Sequence, residues 1–146
     1  MVHGLTYRLL GRPSDAEEVA QDTLAAAFRA LPRLRDPDRF APWLRGICIK
    51  KCRSRIRSLT VRRRFGVVDH APLDLTRYAS ADASPDVIAE LRLLARCVDR
   101  LTTEERIVLM LVRVEGLTLP ETADQIGLSL ATVKRRLSRA AARLEK

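Results

Sequence analysis

The chain has 146 residues, 47% of them hydrophobic but only 4% aromatic, and Ala, Leu and Arg dominate, a composition that favours helices over sheets in one domain or two small ones. Its formal net charge of +9 is uneven: residues 1–66 hold 15 Lys and Arg against 6 Asp and Glu, residues 67–86 hold 1 against 4, and residues 87–146 hold 11 against 8. Two basic blocks around an acidic stretch point to a polyanion partner, nucleic acid before membrane, because no apolar face rich in Trp or Phe backs them and the longest apolar run, 107–112, is far too short to span a bilayer.

In chain order, Leu5 to Leu10 read as the end of a helix closed by Gly11. The start lacks a signal peptide's charged and then apolar layout, so a cytoplasmic protein is expected. Ser14 and Glu17 have the spacing of a capping box. Behind them Ala16, Val19, Ala20, Thr23, Leu24, Ala27, Phe28 and Leu31 trace a helical apolar stripe up to Pro32. The same helix has an acidic edge. Glu17 and Glu18 suit the positive end of the helix dipole, but Asp22 lies deeper and four residues from Glu18, an unfavourable like-charge pair that invites a basic protein partner.

After the turn-rich PRLRDPD, residues 32–38, Phe40, Trp43, Leu44, Ile47 and Ile56 mark the inner side of a longer helix. Its outer side carries Arg45, Lys50, Lys51, Arg53, Arg55 and Arg57. Cations interleaved with Phe40 and Trp43 at its start fit single-stranded or distorted DNA, where bases stack on rings and cations follow the backbone; ordinary core packing explains Trp43 equally well. Over residues 66–83 the periodicity fails and Gly, Pro, Asp, Ser and Thr are scattered, which predicts a flexible linker between halves that fold independently.

Ser84 and Pro85 open a helix with Ile88, Leu91, Leu94, Val98 and Leu101 inward. Thr102 and Glu105 form a capping box for a nearly all-apolar helix that should be the buried centre of this half. Thr118 and Glu121 form another, with Pro120 in the first turn, so a short helix is predicted over Leu119–Ile126, ended by Gly127. Ser129 then caps a last helix after a turn of a few residues, the spacing of a helix-turn-helix. Val133, Leu137, Ala140 and Leu144 make its single apolar stripe. Its other faces carry Lys134, Arg135, Arg136, Arg139 and Arg143 with almost no compensating acid, so it reads as a DNA-recognition helix, with Thr132, Arg135, Arg136 and Arg139 placed to reach base edges.

Little else suggests chemistry. Cys48 and Cys52 lie one helical turn apart, but with Cys97 they make an odd number and no metal-binding or redox spacing accompanies them, so they read as small core residues. His3 and His70 stand in unpatterned segments, and there is neither a phosphate-binding glycine loop nor an acid/base constellation. Neither a catalytic site, a metal, a cofactor nor a small-molecule substrate is expected.

Two segments together, DAEEVAQDTLAAAFRAL with FAPWLRGI in the first half and LTTEERIVLMLVRVEGLTLPETADQIGLSLATVKRRLSRA in the second, resemble the extracytoplasmic-function (ECF) group of bacterial RNA polymerase sigma factors. The resemblance implies an all-α chain: a domain for promoter melting and core-polymerase binding over residues 1–65, its first helix shortened to Val2–Leu10, a linker over 66–83, and a helix-turn-helix domain for the minus-35 element over 84–146. It implies that Asp15, Glu17, Glu18, Gln21 and Asp22 dock on the clamp coiled coil of the polymerase β′ subunit. It further implies that the loop from Leu34 to Arg39, with Phe40 and Trp43, captures a flipped base of the minus-10 element, that Lys50, Lys51 and Arg53 follow the melted strand, and that Lys134, Arg135, Arg136 and Arg139 read the minus-35 element. Promoter DNA, core RNA polymerase and an anti-sigma factor are the implied partners. Lys50 stands where many relatives carry asparagine, replacing a bidentate amide by a point charge. Two other readings use the same residues: an autonomous helix-turn-helix regulator, which has no need of the acidic helix, and a decoy for an anti-sigma factor, which has no need of a basic recognition helix.

Overall fold

In the computed structural model, which describes residues 1–66 and 73–145, seven α-helices carry the fold: α1 (Val2–Leu10), α2 (Pro13–Ala30), α3 (Phe40–Arg64), α4 (Pro85–Asp99), α5 (Thr103–Arg113), α6 (Leu119–Ile126) and α7 (Leu130–Leu144). No strand occurs among the described residues. Short 3-10 turns at Leu31–Arg33 and Pro37–Arg39 bridge α2 to α3, and another lies at Thr76–Tyr78.

The C-terminal helices start where their side chains direct. Thr102 and Thr118 each accept from the backbone N–H three residues on, while Glu105 and Glu121 reach back to the cap residue, completing both capping boxes. Ser129 accepts from the Thr132 backbone at 3.2 Å, and Ser84 caps α4. Gly127 takes φ 66°, a left-handed conformation that lets the chain leave α6 and enter α7 within three residues.

The expected cap at Ser14 does not form. Arg12 is the extended N-cap residue of α2, Pro13 occupies the first turn and no side chain caps the helix. Proline's fixed φ and missing N–H favour that earlier start, and the residue before a proline is pushed out of the helical region.

The two halves share one core. Leu5 and Leu9 of α1, Val19 and Ala20 of α2, and Cys48, Ile49 and Cys52 of α3 belong to the same buried cluster as Ile107, Val108 and Leu111 of α5, Ala123 and Ile126 of α6, and Val133 of α7. A satellite cluster joins Leu73 to Ala95, Val98, Leu101, Leu109 and Ala140. Of the segment read as a linker, residues 67–72 lie outside the described residues, and Leu73 is buried with its N–H donating to Asp99 at 2.9 Å. Gly11 makes room for it: at φ 68° a Cβ there would lie 1.6 Å from Leu73 Cδ1. The expectation of independent halves therefore meets an arrangement in which α3 packs on both α5 and α6.

Three positions of the predicted apolar stripe, Leu24 and Phe28 on α2 and Leu31 just past its end, lie exposed. Leu24 and Leu31 are 45% exposed and Phe28 is 80% exposed. The neighbours of α2 are α1 and α3, and Ala16, Val19, Ala20, Thr23 and Ala27 fill that contact. These small residues allow close approach on one side, and the larger apolar residues fall outside the contact arc.

Candidate polymerase and nucleic-acid interfaces

The acidic edge of α2 divides into a structural and an exposed part. Asp15, only 7% exposed, accepts from Arg55 Nε at 2.9 Å, and Glu18 pairs with the same guanidinium, so these acids bind α2 to α3. Burial works against the Arg55 cation, but hydrogen bonds and charge from Asp15 and Glu18 outweigh it and hold its pKa above the usual value. Glu17 is exposed, pairs with His3 and accepts from the Gln21 amide at 3.1 Å. Asp22 is exposed. Spaced at helical intervals from Glu17 and Gln21, exposed Leu24, Phe28 and Leu31 extend this edge into an apolar stripe. Sequence periodicity grouped these residues in one stripe with the buried Val19, Ala20 and Ala27.

Around the start of α3 the structure builds a concavity of about 640 Å³, lined by Arg33, Arg35, Arg39, Trp43, Ile47 and Lys50, and closed on one side by Asp124 and Gln125 of α6. Arg39 ends the 3-10 turn begun at Pro37, which Asp36 caps by accepting from the Asp38 backbone at 3.0 Å. Phe40 and Trp43 stack in a tilted arrangement with ring centroids 5.9 Å apart; Phe40 is exposed, whereas Trp43 packs partly against the core. Trp43 therefore has one side on the core and one on the concavity. Lys50 is exposed and Lys51 half-buried. Arg53 is engaged elsewhere: its Nη2 donates to the Ile126 carbonyl at 3.2 Å, and its Nε lies 3.1 Å from Glu104.

On α7, Val133 and Ala140 are fully buried, which turns Lys134, Arg135 and Arg139 outward; Arg136 and Thr132 are half-exposed. Thr132 shares a 2.8 Å hydroxyl contact with Ser129, so it belongs to the cap as well as to the candidate base-reading set. Arg135, Arg136, Arg139 and Arg143 line a cleft of about 380 Å³ whose opposite wall is Thr102 to Glu105 at the start of α5. Arg143 donates to Glu105 at 2.8 Å, so it is tied to α5.

The cysteines form no site of this kind. Cys48 and Cys52 are fully buried in the shared core, and Cys97 is half-buried on α4. The hydrogen bond between the two buried thiols, joined by burial, pushes Cys52 above its ordinary pKa. No cluster of His, Cys, Asp and Glu suited to a metal occurs among the described residues, and no helix there is long and apolar enough to cross a membrane.

Comparison with known proteins gives matches over both halves of the chain. Residues 1–62 match the family Sigma-70 region 2 and residues 91–144 match Sigma-70, region 4. The chain is 37% identical over 145 residues to the RNA polymerase sigma factor CnrH of Cupriavidus metallidurans, covering 94% of this chain and 75% of CnrH. It is 32% identical over 143 residues to the ECF RNA polymerase sigma factor SigE of Mycolicibacterium smegmatis, covering 94% of this chain and about half of SigE, 53%. Among solved structures, CnrH in complex with the cytosolic domain of CnrY superposes with a TM-score of 0.65 at 31% identity, covering 99% of this chain and 78% of that one. The sigma factor RpoE of Bartonella quintana, solved with the anti-sigma factor NepR, shares the fold with a TM-score of 0.74 at 23% identity over 99% and 87% of the two chains. The capped helix-turn-helix, the basic α3 and the matches to regions 2 and 4 together show that this chain belongs to the ECF group of RNA polymerase sigma factors.

Proposed function

We propose that this sigma factor directs core RNA polymerase to its promoters with three separate surfaces. The exposed edge of α2, Glu17, Gln21 and Asp22 continued by Leu24, Phe28 and Leu31, docks on the β′ clamp coiled coil, while Asp15 and Glu18 hold α2 in place from beneath. Arg39, Phe40, Trp43, Lys50 and Lys51 take the melted minus-10 strand, joined by Arg53 once it is released from Glu104. Lys134, Arg135, Arg136 and Arg139, with Thr132, read the minus-35 element in the major groove. Functionally, residues 1–65 then form the melting and polymerase-binding domain, 66–83 the connection and 84–146 the minus-35 domain. The protein works in the cytoplasm as a specificity subunit without catalysis of its own, and an anti-sigma factor is its expected antagonist, as the solved complexes of CnrH with CnrY and of RpoE with NepR suggest.

The observation that carries this reading is the helix-turn-helix itself: α6 and α7 are both capped by their own side chains, joined through a left-handed glycine, and α7 buries Val133 while presenting Lys134, Arg135 and Arg139 to solvent. A pull-down with core polymerase tests the docking surface. The E17K/D22K variant should lose most of its binding while its circular dichroism is unchanged, because both residues are exposed. Undiminished binding would remove α2 from the interface.

A further inference from the structure

Arg106 of α5 is the one buried cation among the described residues, at 7% exposure. Its Nη1 lies 3.5 Å from Asp99 Oδ1, at the outer limit of a hydrogen bond, while its Nε and Nη2 are buried without a hydrogen-bond partner among the described residues. Asp99 is itself shared. Its Oδ2 accepts from the Leu73 backbone at 2.9 Å, and its Oδ1 lies 4.0 Å from Arg63 Nη1. Burial, the largest influence on Arg106, pulls its pKa down to about 10; Asp99 attracts the cation and Arg63 repels it. Charged N–H groups are rarely left in a protein interior without acceptors, because their desolvation is then uncompensated.

The space beside these groups has a defined size. A cavity of about 30 Å³ is lined by Arg63, Asp99 and Arg106 together with Leu10, Ile56 and Thr60. One water needs about 10–15 Å³, so the cavity takes one monatomic ion or one or two waters, and nothing as large as a phosphate. The chemistry of the walls selects between them. The Thr60 hydroxyl donates to the Ile56 carbonyl at 2.9 Å, which leaves guanidinium N–H groups as the available donors. A water would have to place its own protons where the carboxylate of Asp99 is already divided between the Leu73 N–H and two guanidiniums. An anion accepts from both N–H groups without donating, and offsets positive charge that Asp99 alone must serve. We propose that this cavity is a halide site, in which one ion accepts from Nε and Nη2 of Arg106 and Arg63 supplies a second positive charge. None of the lining residues belongs to the surfaces proposed for polymerase or DNA, so the site stands apart from that reading.

The test melts the full chain in sodium chloride and in sodium gluconate at equal ionic strength, which keeps the screening of the +9 net charge the same. Gluconate is too large for the cavity. Chloride should raise the melting temperature by roughly 3–6 °C along a saturating curve, as a ligand of the native state does. Bromide should do the same. R106K keeps the charge but ends in a single nitrogen, and its melting temperature should be equal in the two salts. A crystal of the wild type grown in bromide gives a readout that does not depend on the variant folding: an anomalous peak is expected beside Nε and Nη2 of Arg106. Coincident melting of the wild type in chloride and gluconate overturns the proposal, as does water density without an anomalous peak at that position. A chloride effect of the same size in wild type and R106K also overturns it, because the ion would then be acting at the surface.

Discussion

The helices of the C-terminal half are defined by their own ends, whereas those of the N-terminal half are defined by their neighbours. Each of α4, α5, α6 and α7 has a side-chain N-cap; α1, α2 and α3 have none. What fixes α2 and α3 is tertiary: a close contact through small residues, the Asp15, Glu18 and Arg55 cluster, and the core shared with α5. Local capping suits a helix-turn-helix, a small unit that must keep its shape on DNA. Tertiary support suits a half whose outer faces are proposed to take polymerase and a melted strand.

The sharpest way to break the contrast is through the core both halves use. Leu111 is fully buried in it, and Leu111→Ala should cost about 2–5 kcal/mol. Helical signals from both halves should melt in one transition, lowered together; separate transitions, with only the C-terminal one affected, would show that the halves do not share their stability. A smaller effect is expected at Asp15. Asp15→Ala leaves Arg55 partly buried with Glu18 as its remaining partner and should cost about 1–3 kcal/mol, measured by urea unfolding. Polymerase affinity of the folded fraction should barely change, in contrast to the loss expected for E17K/D22K. Smallest is the cap. Thr118→Ala should cost about 1 kcal/mol, whereas Ser14→Ala, which caps nothing, should be nearly silent. The Thr118 cap is also pH-dependent: its hydroxyl and backbone N–H hold Glu121 below the usual carboxylate pKa, so this contribution is present at neutral pH and fades as pH falls through the carboxylate range. Thermal melts at neutral and acid pH should show the Thr118→Ala difference shrinking in acid.

The same contrast explains what the sequence could convey. Thr102, Thr118, Gly127 and Ser129 act on backbone groups three or four residues away, so their roles are legible in a linear string. Periodicity likewise located the buried centre of α5 and the inward face of α7. Asp15 and Arg55 are separated by 40 residues and Arg53 and Ile126 by 73, and nothing local announces either partnership. An apolar period also does not say how much of the stripe a neighbour will cover: Phe28 shares its stripe with buried Ala20 and Ala27 yet lies exposed. The docking of Leu73 against Gly11 is a third case, since a segment without periodicity can still bury one side chain where a glycine leaves space. Of the candidate site residues, those on α7 combined a legible scaffold with an exposed charge pattern. Those on α2 and α3 were divided by the structure between contacts within the fold and surfaces open to partners.

The assignment of α7 as the reader of the minus-35 element is tested most directly by transcription from a promoter library with reconstituted polymerase. Arg135→Ala and Arg139→Ala should each lose about 1–3 kcal/mol of discrimination at one minus-35 position. Arg143→Ala, whose guanidinium is bound to Glu105 and the Arg100 carbonyl, should leave the preferred sequence unchanged. Equal, sequence-independent losses for all three variants would contradict the account, because they would mean that α7 holds the DNA backbone without reading its bases.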